Sequence, residues 1–125
     1  MNQRHALIAA GILGALAVCI GAFGAHALKP MLVASGRFDT FETAVRYQFY
    51  HVFALLATGI LMGQFISAKL KTAALFFVLG IVIFSGSLYV LCFTGIGVLG
   101  AITPLGGVLF VLGWSFLVLG VIGES

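Results

Sequence analysis

The chain has 125 residues, 62% of them hydrophobic and 7% charged, with a mean hydropathy of +1.26 and a net charge of +3. A water-soluble domain carries roughly 25% charged residues, so the composition excludes one and points to an integral membrane protein. Six basic and three acidic residues cannot form the basic patch or stripe that nucleic-acid binding requires.

A spanning helix needs about 20 apolar residues, and four stretches qualify: 6–27, 45–67, 72–94 and 98–123. They use nearly the whole chain, so a single transmembrane domain over residues 1–125 is expected. Arg4, the apolar run behind it and the small-x-small triplet Ala25-His26-Ala27 imitate a secretory signal. The run exceeds the roughly 7–15 apolar residues of a signal core, and Val18 is bulky where a lipoprotein signal needs a small residue before Cys19. Span one therefore reads as a retained helix. Cys19 and Cys92 fall inside apolar runs and read as small core side chains. Pairing them would need an oxidising aqueous compartment.

Lys29-Pro30 ends span one. Pro30 can open a short helical turn, stopped by Gly36. Asp39 and Glu42 then form an Asp-x-x-Glu capping pattern, which predicts a helix starting near Thr40. Glu42 and Arg46 are an i, i+4 pair in the favourable order; these charges can equally do no more than start the helix and anchor it at the headgroups. Lys69 and Lys71 separate spans two and three, and Thr94 to Gly97 make the turn before span four. The expected fold is an all-α integral membrane protein. Its four transmembrane helices form one compact antiparallel bundle, with a short interfacial helix or turn between spans one and two.

Four spans put both termini, Arg4, Lys69 and Lys71 on one side (side A), and Lys29, Arg37 and Arg46 on the other (side B). The positive-inside rule nearly ties. The compact lysine pair and the amino terminus favour side A as cytoplasmic.

Small residues recur every seven positions: Ala10, Ala17 and Gly24 in span one, flanked by Gly14 and Gly21, and Gly106, Gly113 and Gly120 in span four. Such a repeat keeps one face towards a neighbouring helix. Close backbone approach is a main source of helix association in lipid. The partner can lie within the subunit or in an oligomer.

Polar residues concentrate in the side B half: His26; Arg46, Tyr47, Gln48, Tyr50 and His51; Ser85, Ser87 and Tyr89; and Thr103 with Pro104. Polar groups in hydrocarbon are costly unless paired, and ionisable ones there point to function. Four helices placing theirs at one depth suggests one shared hydrogen-bonded site. Each member also has a structural reading. The tyrosines can be interface aromatics, the serines can bond back to their own helix, and Pro104 can open span four. His26 and His51 can each bond a tyrosine or a carbonyl. Trp114, mid-span, reads as bulk packing opposite the glycine seam. Two histidines without a third strong ligand give no metal site, and no cofactor is expected.

The motifs "GAFGAHAL", "YQFYHVFALL", "FSGSLY" and "ITPLGG" followed by "GW" occur in this order. Together they closely resemble the YgdD family, also called the domain-of-unknown-function 423 family, which includes bacterial inner-membrane proteins and the animal transmembrane protein 256. The resemblance covers nearly the whole chain and implies a small four-span protein of a bacterial inner membrane. The family motifs fall on Gly21, Gly24, His26, Tyr47, Gln48, His51, Ser85, Gly86, Ser87, Tyr89, Thr103, Pro104, Gly106 and Gly107. No established activity comes with it.

Three functions compete. The first is a binding or accessory protein that holds a lipid headgroup, a small polar ligand or a partner helix at the side B cluster. Its partners would be membrane lipids, a second copy or another membrane protein. The second is an oligomeric transporter of a small solute or protons, although the spans hold no acid to relay them. The third is an intramembrane enzyme using Ser85 or Ser87 with a histidine. A nucleophile needs a positioned base and an oxyanion site, and no motif supplies them, so the expectation is a non-enzyme.

Overall fold

The computed structural model describes residues 1–123; Glu124 and Ser125, the end of the expected domain, lie outside the described residues. It is all-α, with no strand among the described residues. Helix α1 (Gln3–Ala25) is followed by the short α2 (Lys29–Ala34) and by α3 (Phe38–Leu61). Helix α4 (Ala68–Gly80) passes through a π-helical turn (Ile81–Ser85) into α5 (Gly86–Thr94), and α6 (Leu99–Ile122) completes the chain.

Three helices are long and apolar enough to cross a membrane: Gln3–Ala25, the continuous Ala68–Thr94, and Leu99–Ile122. The expected second span is the exception. Helix α3 matches the others in length at 24 residues, but Asp39, Glu42, Arg46, Gln48 and His51 make its first half polar.

Two ladders of small residues set the packing, and both run antiparallel. On α1, a Cβ at Gly14 would lie 3.3 Å from Val52 and one at Gly21 3.3 Å from Val45, while Gly24 receives the ring of Phe41. At the other end Gly59 of α3 takes Leu7. Ala6, Ala10 and Ala17 are buried on the same face of α1. On α6, Gly120 meets Leu70, Gly113 meets Phe77, and Phe110 fills the space beside Gly80. At Gly106 the approach is to main chain: a Cβ there would overlap the backbone N of Phe84 and lie 2.7 Å from its Cα. Both seams are thus used inside the subunit. Cys92 is buried, but Cys19 lies exposed on the opposite face of α1, which corrects its reading as a core residue.

Three local expectations also change. Helix α3 starts at Phe38, not near Thr40, with Arg37 at the N-cap and no side-chain cap. Gly36, at φ 72°, ends the preceding turn so tightly that the helix begins before Asp39 can cap it. Asp39 instead sits in the first turn, where its charge complements the helix dipole, and Glu42 turns outward to Arg46. Pro104 does not open α6. The helix begins at Leu99 and holds Pro104 in its interior, so the Gly100 carbonyl loses its usual i+4 donor. Finally, the third long helix starts at Ala68, capped by the Ser67 hydroxyl, and contains the π turn. That turn has no signature in a uniformly apolar stretch.

The Gly106 contact is directly testable. Gly106→Ala should destabilise the protein by ~1–3 kcal/mol, the cost of overpacking against a backbone that cannot step aside. Gly107→Ala, whose Cβ would meet only Phe84 Cδ2 at 4.0 Å, should be far milder. Equilibrium unfolding in detergent compares the two.

Candidate functional site

The polar residues expected to form a site separate into two groups, an inner set of hydrogen-bonded side chains and an outer rim, the rim at the end of the bundle that carries the α2 and α5–α6 connections (the B end).

Gln48 stands at the centre of the network. It is 3% exposed. Its Nε2 donates to the Leu13 carbonyl of α1 at 2.8 Å, and its Oε1 accepts from the Tyr89 hydroxyl of α5 at 2.6 Å. One amide therefore joins three helices. Ser85, at the end of the π turn, donates to the Ala44 carbonyl of α3 at 2.6 Å. Ser87 donates to Phe84 O at 2.9 Å and lies 2.6 Å from Thr103 Oγ1 of α6. Each hydroxyl has one proton. With the Ser87 proton on Phe84 O, Thr103 donates to Ser87, and the longer 3.2 Å contact of Thr103 to Leu99 O is its weaker alternative.

His51 is 6% exposed. Trp114 Nε1 donates to its Nε2 at 3.1 Å, and its Nδ1 lies 2.8 Å from the Tyr47 carbonyl. An indole N–H only donates, so Nε2 must carry the lone pair and Nδ1 the proton. His51 is therefore the neutral Nδ1–H tautomer. Phe110 stacks on the imidazole at 3.5 Å between centroids, and Phe77 and Trp114 close its edges. Among the described residues, no buried side-chain nitrogen or oxygen lacks a partner.

Of the expected members, Gln48 bonds Tyr89 and Ser87 bonds Thr103, while Ser85 and His51 bond separately, to the Ala44 carbonyl and to Tyr47 and Trp114; four expected members lie outside these contacts. His26 is exposed and ends α1, giving only its backbone N–H to Ala22 O; it makes no polar contact to α3. The reason is rotational. His26 follows the buried Gly24 by two residues, about 200° around the helix, and borders Val18, Cys19, Ala22 and Phe23 on the opposite face. Arg46 is exposed and paired with Glu42 at 3.4 Å. Tyr50 is exposed and lies against Tyr47. Tyr47 contributes its carbonyl and stacks its ring on Phe84 at 4.7 Å, but its hydroxyl is not part of the network. Trp114 is the opposite case. Expected as bulk packing, it supplies the hydrogen bond to His51. The signal was its indole N–H in mid-helix, a donor that hydrocarbon cannot satisfy.

Neither serine lies in hydrogen-bond contact with His51; both hydroxyls go to carbonyls or Thr103. Among the described residues, no group of three His, Cys, Asp or Glu side chains could hold a metal ion.

The outer rim carries Lys29, Arg37, Arg46, Asp39 and Glu42. Lys29 Nζ sits over the Phe38 ring at 5.3 Å. Beside it a groove of about 230 Å³ opens between the end of α1 and the start of α3.

Long apolar helices held by small-residue seams and an internally satisfied polar network define a small helical membrane protein. Residues 20–107 match the family described as protein of unknown function DUF423. A UPF0382 membrane protein of Staphylococcus saprophyticus is 50% identical over 113 residues, covering 87% of this chain and 92% of the relative. A UPF0382 membrane protein of Staphylococcus epidermidis is 47% identical over 112 residues, covering 86% and 90%. The UPF0382 inner membrane protein YgdD of Escherichia coli is 38% identical over 122 residues, covering 98% and 92%. The chain belongs to this DUF423/UPF0382 family of membrane proteins. No solved structure matches it.

Two measurements check the network. Removing either partner of the Tyr89–Gln48 bond leaves the other in hydrocarbon, and interhelical hydrogen bonds in membrane proteins contribute ~0.6 kcal/mol on average, up to ~1.7. A double-mutant cycle of Tyr89→Phe and Gln48→Leu should give a coupling energy in that range, read by unfolding in detergent. Nitrogen-15 NMR of His51 should report a protonated Nδ1 and a bare Nε2, with the Nε2 signal moving in Trp114→Phe.

Proposed function

We propose that this is a four-span, single-domain protein of the inner membrane, with both termini cytoplasmic, that binds a membrane lipid headgroup at its B-end rim. In this reading α3 is the fourth span. Its polar half is compatible with lipid because Gln48 and His51 turn inward onto partners at both ends of the amide and both ring nitrogens, while Asp39, Glu42 and Arg46 lie within its first turns, which this reading puts at headgroup depth. The inner membrane follows the name of the E. coli relative. The orientation rests on Lys69, Lys71 and the amino terminus sharing one side.

The observation that carries the binding role is the division of polar groups. Every buried side-chain nitrogen and oxygen of the inner groups already has a partner within the protein, whereas the cations Lys29 and Arg46 stand exposed at the rim beside a groove lined mainly by carbon. A lipid presents that combination in reverse, a charged phosphate on an apolar body, and charge-assisted bonds to phosphate are the strong ones. The inner residues then act as scaffold.

A second copy or a partner helix has less support as the occupant, because the glycine seams of α1 and α6 are filled by helices of the same chain. A transporter of small solutes or protons would need the inner hydrogen bonds to open, and the described acids, Asp39 and Glu42, both sit at one end. We also read the protein as a non-enzyme that needs no cofactor, since neither serine has a base beside it.

Lipid retained through purification tests this. Mass spectrometry of the protein from mild detergent should find bound phospholipid, reduced about tenfold in the double variant Lys29→Gln, Arg46→Gln, the effect of losing ~1.4 kcal/mol, and kept in Tyr89→Phe. No lipid above a detergent blank, or none lost in the rim variant, would refute the reading.

A further inference from the structure

We propose that the groove between α1 and α3 selects a phosphoethanolamine headgroup, with Arg46 on its phosphate and Glu42 on its ammonium. This rests on the lipid-headgroup reading and names the class of lipid.

The groove's walls are Gly21 and Gly24 on one helix and Phe41 and Val45 on the other, with Glu42 and Arg46 at the rim. The two rim charges are one turn apart on α3 and meet only loosely. Arg46 Nη1 donates to Glu42 Oε2 at 3.4 Å, and Nη2 donates to Thr43 Oγ1 at 3.4 Å. A tight charge-assisted N–H···O bond is shorter, about 2.7–2.9 Å. Both side chains are also about half exposed, at 53% and 43%. A pair this open spends little of its bonding capacity on itself. The guanidinium has five N–H donors and the carboxylate about four lone-pair sites, so each can take a second partner without giving up the first.

The charge pattern decides which partner. A cation and an anion side by side are the complement of a zwitterion. A phosphate seated on Arg46 lies beside the Glu42 carboxylate and is repelled by it, unless the same headgroup brings a positive donor to that carboxylate. Ethanolamine brings a compact –NH₃⁺ with three N–H donors. Choline has the charge but no N–H, and a glycerol headgroup has donors but no charge. Lys29, held over the groove-wall ring of Phe38, stands one turn beyond Glu42, on the side away from Arg46, so the phosphate is left to Arg46. The apolar floor behind the rim takes the glycerol backbone and the first acyl carbons. A volume of about 230 Å³ holds this part of a lipid, with the tails lying in the bilayer.

The test is native mass spectrometry of the purified full chain from micelles doped equally with phosphatidylethanolamine, phosphatidylcholine and phosphatidylglycerol of identical acyl chains. Wild type should retain the ethanolamine lipid about fivefold over each of the others, the ratio that one additional charge-assisted contact at a half-exposed site supports. Glu42→Gln should retain lipid but lose the preference for ethanolamine over choline, and Arg46→Gln should lower retention of all three. Circular dichroism confirms that both variants keep their helices. Equal retention of ethanolamine and choline lipids in wild type, or an unchanged preference in Glu42→Gln, overturns the assignment. If the glycerol lipid leads and Arg46→Gln lowers it, a headgroup site remains and the ethanolamine assignment fails. If nothing is retained above the bare detergent, the lipid reading fails with it.

Discussion

A single carboxamide constrains the arrangement of this protein. Gln48 must place both ends of its side chain on partners, because it is buried between helices where water does not reach them. It does so by holding α1 through the Leu13 carbonyl and α5 through the Tyr89 hydroxyl. Both bonds exist only when α1 and α5 lie close against α3 at the same depth. The small residues of α1 make one approach possible: a larger side chain at Gly14, one residue from Leu13, would push against Val52 and lift the carbonyl away. The seam and the network are therefore one device. Dispersion contacts along the seam bring the backbones together, and the hydrogen bonds fix which rotation and which register that closeness adopts.

The same logic operates on the other side of the bundle, with the π turn in place of the glutamine. Gly106 lies on the main chain of Phe84 within that turn, and just beyond this contact two hydroxyls make bonds to other helices. Ser85 reaches Ala44 of α3, and Ser87 meets Thr103 of α6. A π turn widens the helix by one residue. Here it packs against α6 at Gly106, close to Pro104, which removes a helical hydrogen bond from α6. The side-chain bonds of Ser85 and Ser87 tie this irregular stretch to α3 and α6.

How much of this the sequence discloses depends on which physical variable is asked. Depth is legible. Helix length and turn placement put Gln48, His51, Ser85, Tyr89 and Thr103 towards one end of the bundle. Small-residue faces are legible too, because a seven-residue repeat survives any choice of partner. Rotation is legible only where a residue is measured against that repeat. His26 sits two positions beyond Gly24, and this spacing already turns it away from the seam. Its polarity alone suggested otherwise, and polarity carries no direction. Partner choice is not legible: nothing in a run of Ile, Val and Phe distinguishes a π turn from an α turn, and Trp114 looks like bulk until a lone pair is found for its N–H. The α3 cap misleads for a related reason. Asp39 and Glu42 fit a capping pattern, yet the helix after the left-handed Gly36 starts early enough to put both inside it rather than at its cap.

The division between network and rim follows from the cost of leaving a polar group unpaired. Inside, every buried side-chain nitrogen and oxygen among the described residues has a partner within the protein, and a ligand entering there would displace such a bond. At the rim, water and headgroups compete for Arg46 and Glu42, so their mutual attraction is weak and their long contact reflects it. A weak pair at the mouth of an apolar groove is inexpensive to open. Under the proposed lipid reading, recognition falls at the edge of this protein, where bonding capacity is left over. The buried residues, however unusual their chemistry looks in the sequence, are already committed to holding the helices in place.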